Sequence, residues 1–257
     1  MTQGRTRYAE AMALYQQGRL SAHELERYRI ASARNDAPPP AAQSPETGIR
    51  TLIDEADIYL STLPGPGVAE VRARLNHWRR GPVTTNQSAN PVLQTHLPAA
   101  LAQLHPAQPA LAEAIANAAR HLDWTTYDAY DAAIGPDFPH NHCYASLIGD
   151  GATIPAQDFD FGLFLIAPHM LYRDHHHAAP ELYAPLTGPH GWRFAPNRPL
   201  IVKQAHQPVW NDPHQPHLTK VGSIPFLAFF ARTRDIQSRA QVLQATDWPE
   251  LEALHLG

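Results

Sequence analysis

A change of hydrophobic rhythm near Gly135 constrains the fold more than any other feature of this sequence. Before it, apolar residues recur at spacings of three and four, the period of an amphipathic helix. Ile49, Leu52, Ile53, Ala56 and Leu60 form one such series, and Val68, Val71 and Leu75 form another after a break at Pro64-Gly65-Pro66. Leu93, Leu97, Leu101, Leu104, Leu111, Ile115 and Ala118 repeat the pattern, interrupted near Pro106. Upstream, Arg7–Gln17 and Ser21–Ala33 are rich in helix formers, and Ser21 with Glu24 makes a capping box. Pro38, Pro39 and Pro40 then end the helix and begin a linker.

After Gly135 the runs shorten. Phe159–Ile166, Leu200–Val202 and Pro225–Phe230 are rich in Phe, Ile, Leu and Val and bounded by Pro, Gly, Asn and Asp, which predicts strands. The expected organisation is a helical region over residues 1–135, with 1–36 as a separable helical extension, and a β domain over 136–257. Closely spaced strands after a helical half predict a barrel or sandwich with a helical layer outside it. No internal repeat of fixed period is present.

Composition narrows the function. A net charge of -4, with no Lys/Arg stripe interleaved with aromatics, offers no field for a phosphate backbone, so no nucleic-acid partner is expected. Met1–Leu14 contains Arg5, Arg7 and Glu10 instead of a signal-peptide core, and no run of about 18 apolar residues occurs. The expectation is a soluble, cytoplasmic protein without a membrane partner. Cys143 is the one cysteine, so the fold needs no disulfide; it reads as a buried structural thiol rather than a ligand. Sixteen histidines are present and ten of them lie between His140 and His217, which locates the titratable nitrogen chemistry.

Within that stretch, His175 and His177 share one face of a strand while His176 points the other way. Glu181 and Tyr183 keep the same parity, provided that Ala178-Ala179-Pro180 does not shift the phase. Imidazole nitrogen and carboxylate oxygen suit a divalent first-row metal, which needs a further ligand from elsewhere. The segment Asn211–His217 offers one in His217, with His206 and His214 as alternatives. Alone, three adjacent histidines read as a polar tract; the spaced Glu181, Gly188 and His217 favour a metal site. His140, His142, His169 and His190 lack matching partners and read as surface or core histidines. Tyr172 has the wrong parity and needs a bend at Arg173-Asp174 to join the group.

The pattern His-x-His-x3-Glu-x6-Gly, met by His175, His177, Glu181 and Gly188, resembles the first cupin motif. Pro213-x3-His217 resembles the second, with His214 where that family usually has Gly; a left-handed backbone there would suit Gly better. With Tyr172 and Tyr183 added, residues from about Tyr144 to Arg234 are similar to the cupin-type dimethylsulfoniopropionate (DMSP) lyases and their lyase-like relatives. The resemblance implies a mainly β protein: a C-terminal cupin β-barrel (double-stranded β-helix, jelly roll) behind an α-helical N-terminal half. It also implies one divalent transition metal ion (zinc, iron, manganese or nickel) on His175, His177, Glu181 and His217, and cleavage of DMSP to dimethyl sulfide and acrylate.

On that reading Tyr183 is the general base, activated by the neighbouring cation, and Tyr172 orients the substrate or acts in its place. Aromatic faces suit a sulfonium, so Tyr172, Trp192 and Trp210 are candidate substrate-binding residues, although core packing accounts for either Trp equally well. The partner is a small zwitterionic or carboxylate molecule, and a homodimer fits the pattern as well as a monomer does. Other chemistries use the same ligands: a cupin oxygenase or isomerase on another small carboxylate, and a non-catalytic small-molecule sensor.

Overall fold

Proline at the first helical positions sets several helix starts, since its missing N–H is an orphan there anyway. In the computed structural model, which describes residues 3–25, 27–28, 44–127 and 130–256, Pro45, Pro91 and Pro109 each open a helix. The chain divides at residue 44 into two units. The first holds α1 (Gln3–Gln16) and helical backbone at 22–25 and 27–28. Ser21 and Glu24 form the capping box there: Ser21 N–H donates to Glu24 Oε2 at 2.9 Å, and Glu24 N–H to Ser21 Oγ at 3.3 Å. The helix expected over Ser21–Ala33 falls partly, and the Pro38–Pro40 linker wholly, outside the described residues.

The second unit begins with α2 (Pro45–Ser61), α3 (Val68–Trp78), α4 (Pro91–Leu104) and α5 (Pro109–Ala119). Asn90 caps α4, accepting from the N–H groups of Val92 and Leu93 at 2.9 and 3.2 Å. The Pro64-Gly65-Pro66 and Pro106 breaks both fall between helices, as the rhythm predicts.

Eleven strands follow: β1 (His142–Gly149), β2 (Ile154–Pro155), β3 (Asp160–Ile166), β4 (Leu171–His176), β5 (Glu181–Pro185), β6 (His190–Arg193), β7 (Ile201–Lys203), β8 (Val209–Asn211), β9 (His217–Val221), β10 (Phe226–Arg232) and β11 (Gln241–Val242). A short helix, α6 (Trp248–Ala253), comes last. One sheet runs β2-β1-β3-β10-β5-β8 and the other β11-β4-β9-β6-β7. With helices from 45 to 119 sharing its core, the protein is mixed α and β, which corrects the expectation of a mainly β chain.

Alternation in the six-stranded sheet, broken on β1 by a bulge between Ser146 and Ile148, separates two cores. Ala145, Leu163, Leu182 and Phe229 face outward and join Ile49, Leu52, Leu75 and Ile115 of the helices in one cluster. Phe164, Tyr183, Phe226 and Phe230 face inward and join Tyr172, Trp192 and Val221 of the other sheet in a second. Strands covered on both faces read as continuous apolar runs, which is why Phe159–Ile166 and Pro225–Phe230 stand out in the sequence. Gly188 is required by a close approach: a Cβ there would collide with the backbone nitrogen of Ala205.

Candidate metal centre

The site forms where the chain crosses from one sheet to the other. His175 lies near the end of β4 and pairs in register with His217, the first residue of β9. His177 follows in the connection, and Glu181 opens β5 in the opposite sheet. Three residues, Ala178-Ala179-Pro180, thus carry the chain from the histidine pair to Glu181 across the barrel. Backbone bonding fixes the crossing, since His214 N–H donates to His177 O at 2.8 Å. His214 does adopt a left-handed backbone, with φ 60°, in the turn that leads to His217.

Tyr172 joins the group through a bulge. The β4–β9 register runs Tyr172 to Thr219 and then His175 to His217, so three steps on β4 match two on β9. The extra residue falls at Arg173-Asp174, where the sequence demanded a bend, and turns Tyr172 and His175 to the same face. Their rings stack with centroids 3.9 Å apart. Asp174 is buried beneath the bulge, accepting from Arg193 Nε at 2.9 Å, Arg193 Nη2 at 2.5 Å and Trp248 Nε1 at 2.8 Å.

Candidate ligand atoms of the buried His175, His177 and His217 lie within 4.8 Å of one another. Each ring donates Nδ1–H to a carbonyl: His175 to Arg173 O (2.8 Å), His177 to Ala179 O (2.8 Å) and His217 to Gln215 O (2.9 Å). A carbonyl only accepts, so the three Nε2 atoms carry lone pairs. Glu181 Oε2 sits 3.1 Å from His177 Nε2 and 3.6 Å from His217 Nε2, and His217 Nε2 has no hydrogen-bond partner. With the rings neutral, four acceptors face one another, His177 Nε2 and Glu181 Oε2 at hydrogen-bonding distance, and a cation among them resolves the repulsion. The donor set therefore fits a divalent metal ion.

Ionisation follows burial and charge. Burial, and then the proximity of His217, holds His175 well below the usual histidine range, and burial lowers His177 despite the opposing Glu181 carboxylate. Burial pushes the Glu181 carboxyl up, but the Arg232 guanidinium and His177 outweigh it and hold the group well below the carboxylate range. Arg232 donates from Nε to Glu181 Oε1 at 3.0 Å, which leaves Oε2 for the histidines. Burial raises the phenols of Tyr172 and Tyr183 well above 10, and the Glu181 carboxylate raises Tyr183 further.

A cavity of about 390 Å³ opens beside these groups. Glu181, Tyr172 and Tyr183 line its deep end, with Tyr130, Phe164 and Arg232 around them. Tyr130 donates its hydroxyl to Tyr172 at 3.2 Å. Trp192 is fully buried behind Tyr183, with centroids 5.7 Å apart, and does not line the cavity. Trp210 pairs with Leu182 on the outer face of β5, donates to Asp212 Oδ1 at 2.8 Å and packs over Gly67 near the helices. Neither tryptophan therefore reaches the cavity of this structure, because the alternation of β8 and the depth of β6 direct them elsewhere.

Several other histidines meet partners away from this centre, although His142 Nε2, His169 Nδ1 and His176 Nδ1 are buried without a hydrogen-bond partner. His176 points away and lies 5.7 Å from His214, ring to ring, while His206 meets Tyr59 at 3.1 Å. His142 donates to Phe138 O, and His190 meets Thr187 and Gly222 N. Cys143 is buried on the outer face of β1, and burial pushes its thiol up to about 12. Arg232, Tyr130, Tyr144, Asp160 and Phe230 were not singled out by the sequence; the even-numbered inward positions of β3 and β10 could have found Asp160, Phe230 and Arg232, while no local signal points to Tyr130 or Tyr144.

A two-sheet barrel holding three converging, buried imidazoles defines the class: a cupin-type barrel with a candidate metal centre. The family profile for dimethylsulfoniopropionate lyase matches residues 68–228, and the chain belongs to that family. Solved structures agree on the fold. A chain from the crystal structures of the DMSP lyases RdDddP and RnDddQII superposes with a TM-score of 0.58 at 19% identity, covering 78% of this chain and 100% of that one. DMSP lyase DddQ from Ruegeria pomeroyi DSS-3 gives 0.54 at 20% identity, covering 76% and 96%. No curated protein sequence matches. Among the described residues, no helix is long and apolar enough to cross a membrane.

Proposed function

We propose that this protein is a metal-dependent carbon–sulfur lyase that cleaves DMSP to dimethyl sulfide and acrylate. Family membership supports the reaction class, and one observation carries the residue assignments: Tyr172 and Tyr183 stand on a cavity wall beside four convergent donors. His175, His177, Glu181 and His217 would hold one divalent transition metal ion, with zinc, iron, manganese or nickel all compatible with the donors. When bound, that ion supplies Lewis acidity to the substrate carboxylate and positive charge that favours a nearby phenolate.

The remaining work falls to the chain's own groups. Tyr183 takes the proton from the carbon beside the carboxylate, the electron pair forms the C=C bond of acrylate, and the C–S bond breaks so that sulfur leaves with its bonding pair. Tyr172, fixed by the ring of His175 and the hydroxyl of Tyr130, orients the substrate. Arg232 keeps Glu181 ionised and turned toward the histidines. The aromatic walls exclude water and stabilise the sulfonium through their faces.

Headspace detection of dimethyl sulfide from purified protein, with and without chelator, tests the reaction. Release that stops on chelation and returns with metal is expected. No release from metal-loaded protein rejects the substrate assignment. Tyr183→Phe should retain metal and lose at least 100-fold in turnover, on the scale of general base catalysis. Near-normal turnover in that variant removes Tyr183 as the base.

A further inference from the structure

The cavity has a second polar end, which the lyase reading leaves without a role. Asp160 opens β3, where the register places it across Arg232, and Arg232 in turn lies across Glu181 on β5. Two strand spacings therefore separate the backbones of Asp160 and Glu181, roughly 10 Å. Both carboxylates line the same cavity. Arg232 is committed to Glu181 Oε1 and, through Nη1, to Ser238 O at 3.3 Å. Among the described residues no cation stands within ion-pair distance of Asp160 and its buried Oδ1 has no hydrogen-bond partner; burial pushes its carboxyl up to about 6, with the Ser146 hydroxyl and the Arg232 charge offsetting only part of that rise.

Much of the cavity lining is aromatic. Tyr127, Tyr130, Tyr144 and Phe230 all face the cavity, with Tyr127 and Tyr130 edge to face at 4.5 Å and Tyr144 and Phe230 at 6.1 Å. Space for Phe230 is made by Gly162, its cross-strand neighbour, where a Cβ would press against Ala145 O and the Phe230 ring. Tyr144 senses Asp160 directly: burial raises its phenol and the Asp160 charge raises it further. Arg232 supplies a charge across the strand but no ion-pair contact, so the buried Asp160 carboxylate is stabilised further by a cation in the cavity. A compact alkylated cation does so without demanding hydrogen bonds, since it takes the π faces and the charge together.

We propose that Asp160 makes this cavity selective for ligands carrying a fixed positive charge, the onium class of sulfonium and quaternary ammonium groups, with the aromatic side chains of Tyr127, Tyr130, Tyr144 and Phe230 completing the onium subsite. The position of the ligand's carboxylate, at the histidine end, rests on the lyase reading; the charge preference at the Asp160 end does not. Asp160 is a specificity-determining residue, and its contribution is electrostatic.

The test is a pair of isosteres that differ only in charge, 3-(trimethylammonio)propanoate and 4,4-dimethylpentanoate, titrated calorimetrically into zinc-loaded protein. Wild type should prefer the cationic compound by about tenfold or more. Asp160→Asn should bring that ratio to within about twofold of unity while leaving the affinity for the neutral compound unchanged within about twofold. Asp160→Ser provides the same comparison if the Asn variant does not fold. Equal affinities in wild type, an unchanged ratio in both variants, equal loss for both compounds, or no binding of either compound overturns the proposal. A charge preference that persists without any dimethyl sulfide release would sink the lyase reading and leave the role of Asp160 standing.

Discussion

Removing the carboxylate beneath the β4 bulge is the most demanding perturbation of this fold. Asp174 and Arg193 both have fully buried side chains, and Asp174 also accepts from the Trp248 indole. In Asp174→Ala the guanidinium keeps Asp247, whose side chain is 27% exposed, and the Arg198 carbonyl, and the buried indole N–H loses its acceptor. Breaking a buried pair by deleting one partner costs about 3–5 kcal/mol, because the surviving charge stays desolvated. At about 2–4 °C per kcal/mol for a domain of this size, Tm should fall by roughly 6–20 °C. The double variant Asp174→Ala/Arg193→Met has no stranded charge and should recover at least half of the lost stability. Zinc affinity should fall in the single variant and stay low in the double one, because the Asp174 carboxylate ties the bulge to Arg193 of β6 in the same sheet and to Trp248 of α6. Urea unfolding with a chelator-competition titration reads both quantities. A single variant within about 1 kcal/mol of wild type, or a double variant no more stable than the single one, refutes the reasoning.

Other perturbations probe the site and its surroundings. Arg232→Met should weaken zinc binding by about 10–100-fold, as loss of a group that orients a ligand carboxylate does, and a chelator competition unchanged from wild type would dismiss that role. His214→Gly should leave urea stability equal or raise it by up to about 1 kcal/mol, because glycine adopts φ 60° without side-chain strain; a loss above 1 kcal/mol would contradict this. Burial lowers His142 to about 4, so the fold favours its neutral form. The stability it contributes is complete above the unfolded value of about 6.5 and is lost as pH falls toward 4, amounting to about 3 kcal/mol below that point. His142→Phe should remove that much from the fall in urea stability between pH 7 and pH 4, and an unaltered pH slope would count against it.

Local chemistry made much of this molecule legible. The helices from Pro45 to Ala119 are announced by their apolar period and by proline at their starts, and the double-sided burial of β3 and β10 by continuous apolar runs. His175, His177, Glu181 and His217 could be named because motif spacing fixes which side chains can meet. Tyr172 could be placed only conditionally, since its parity is wrong until one extra residue is inserted, and the force that holds the bulge comes from Arg193 and Trp248, far along the chain. Trp192 and Trp210 show the opposite failure. An aromatic in a strand can serve a cavity or a core, and the choice depends on register with β9 and β5, which no local pattern states.

Short-range spacing by itself determined which elements form and which imidazoles and carboxylate share a motif, because helical and strand periods and turn residues act over a few positions. Tertiary structure alone decided that Glu181 crosses to the sheet opposite His175 and His217, that Arg232 stands between Glu181 and Asp160, and that aromatic rings from six separate segments line one cavity. Those juxtapositions arise from pairing between strands distant in the chain, where register is set by the burial of whole faces rather than by any residue's neighbours.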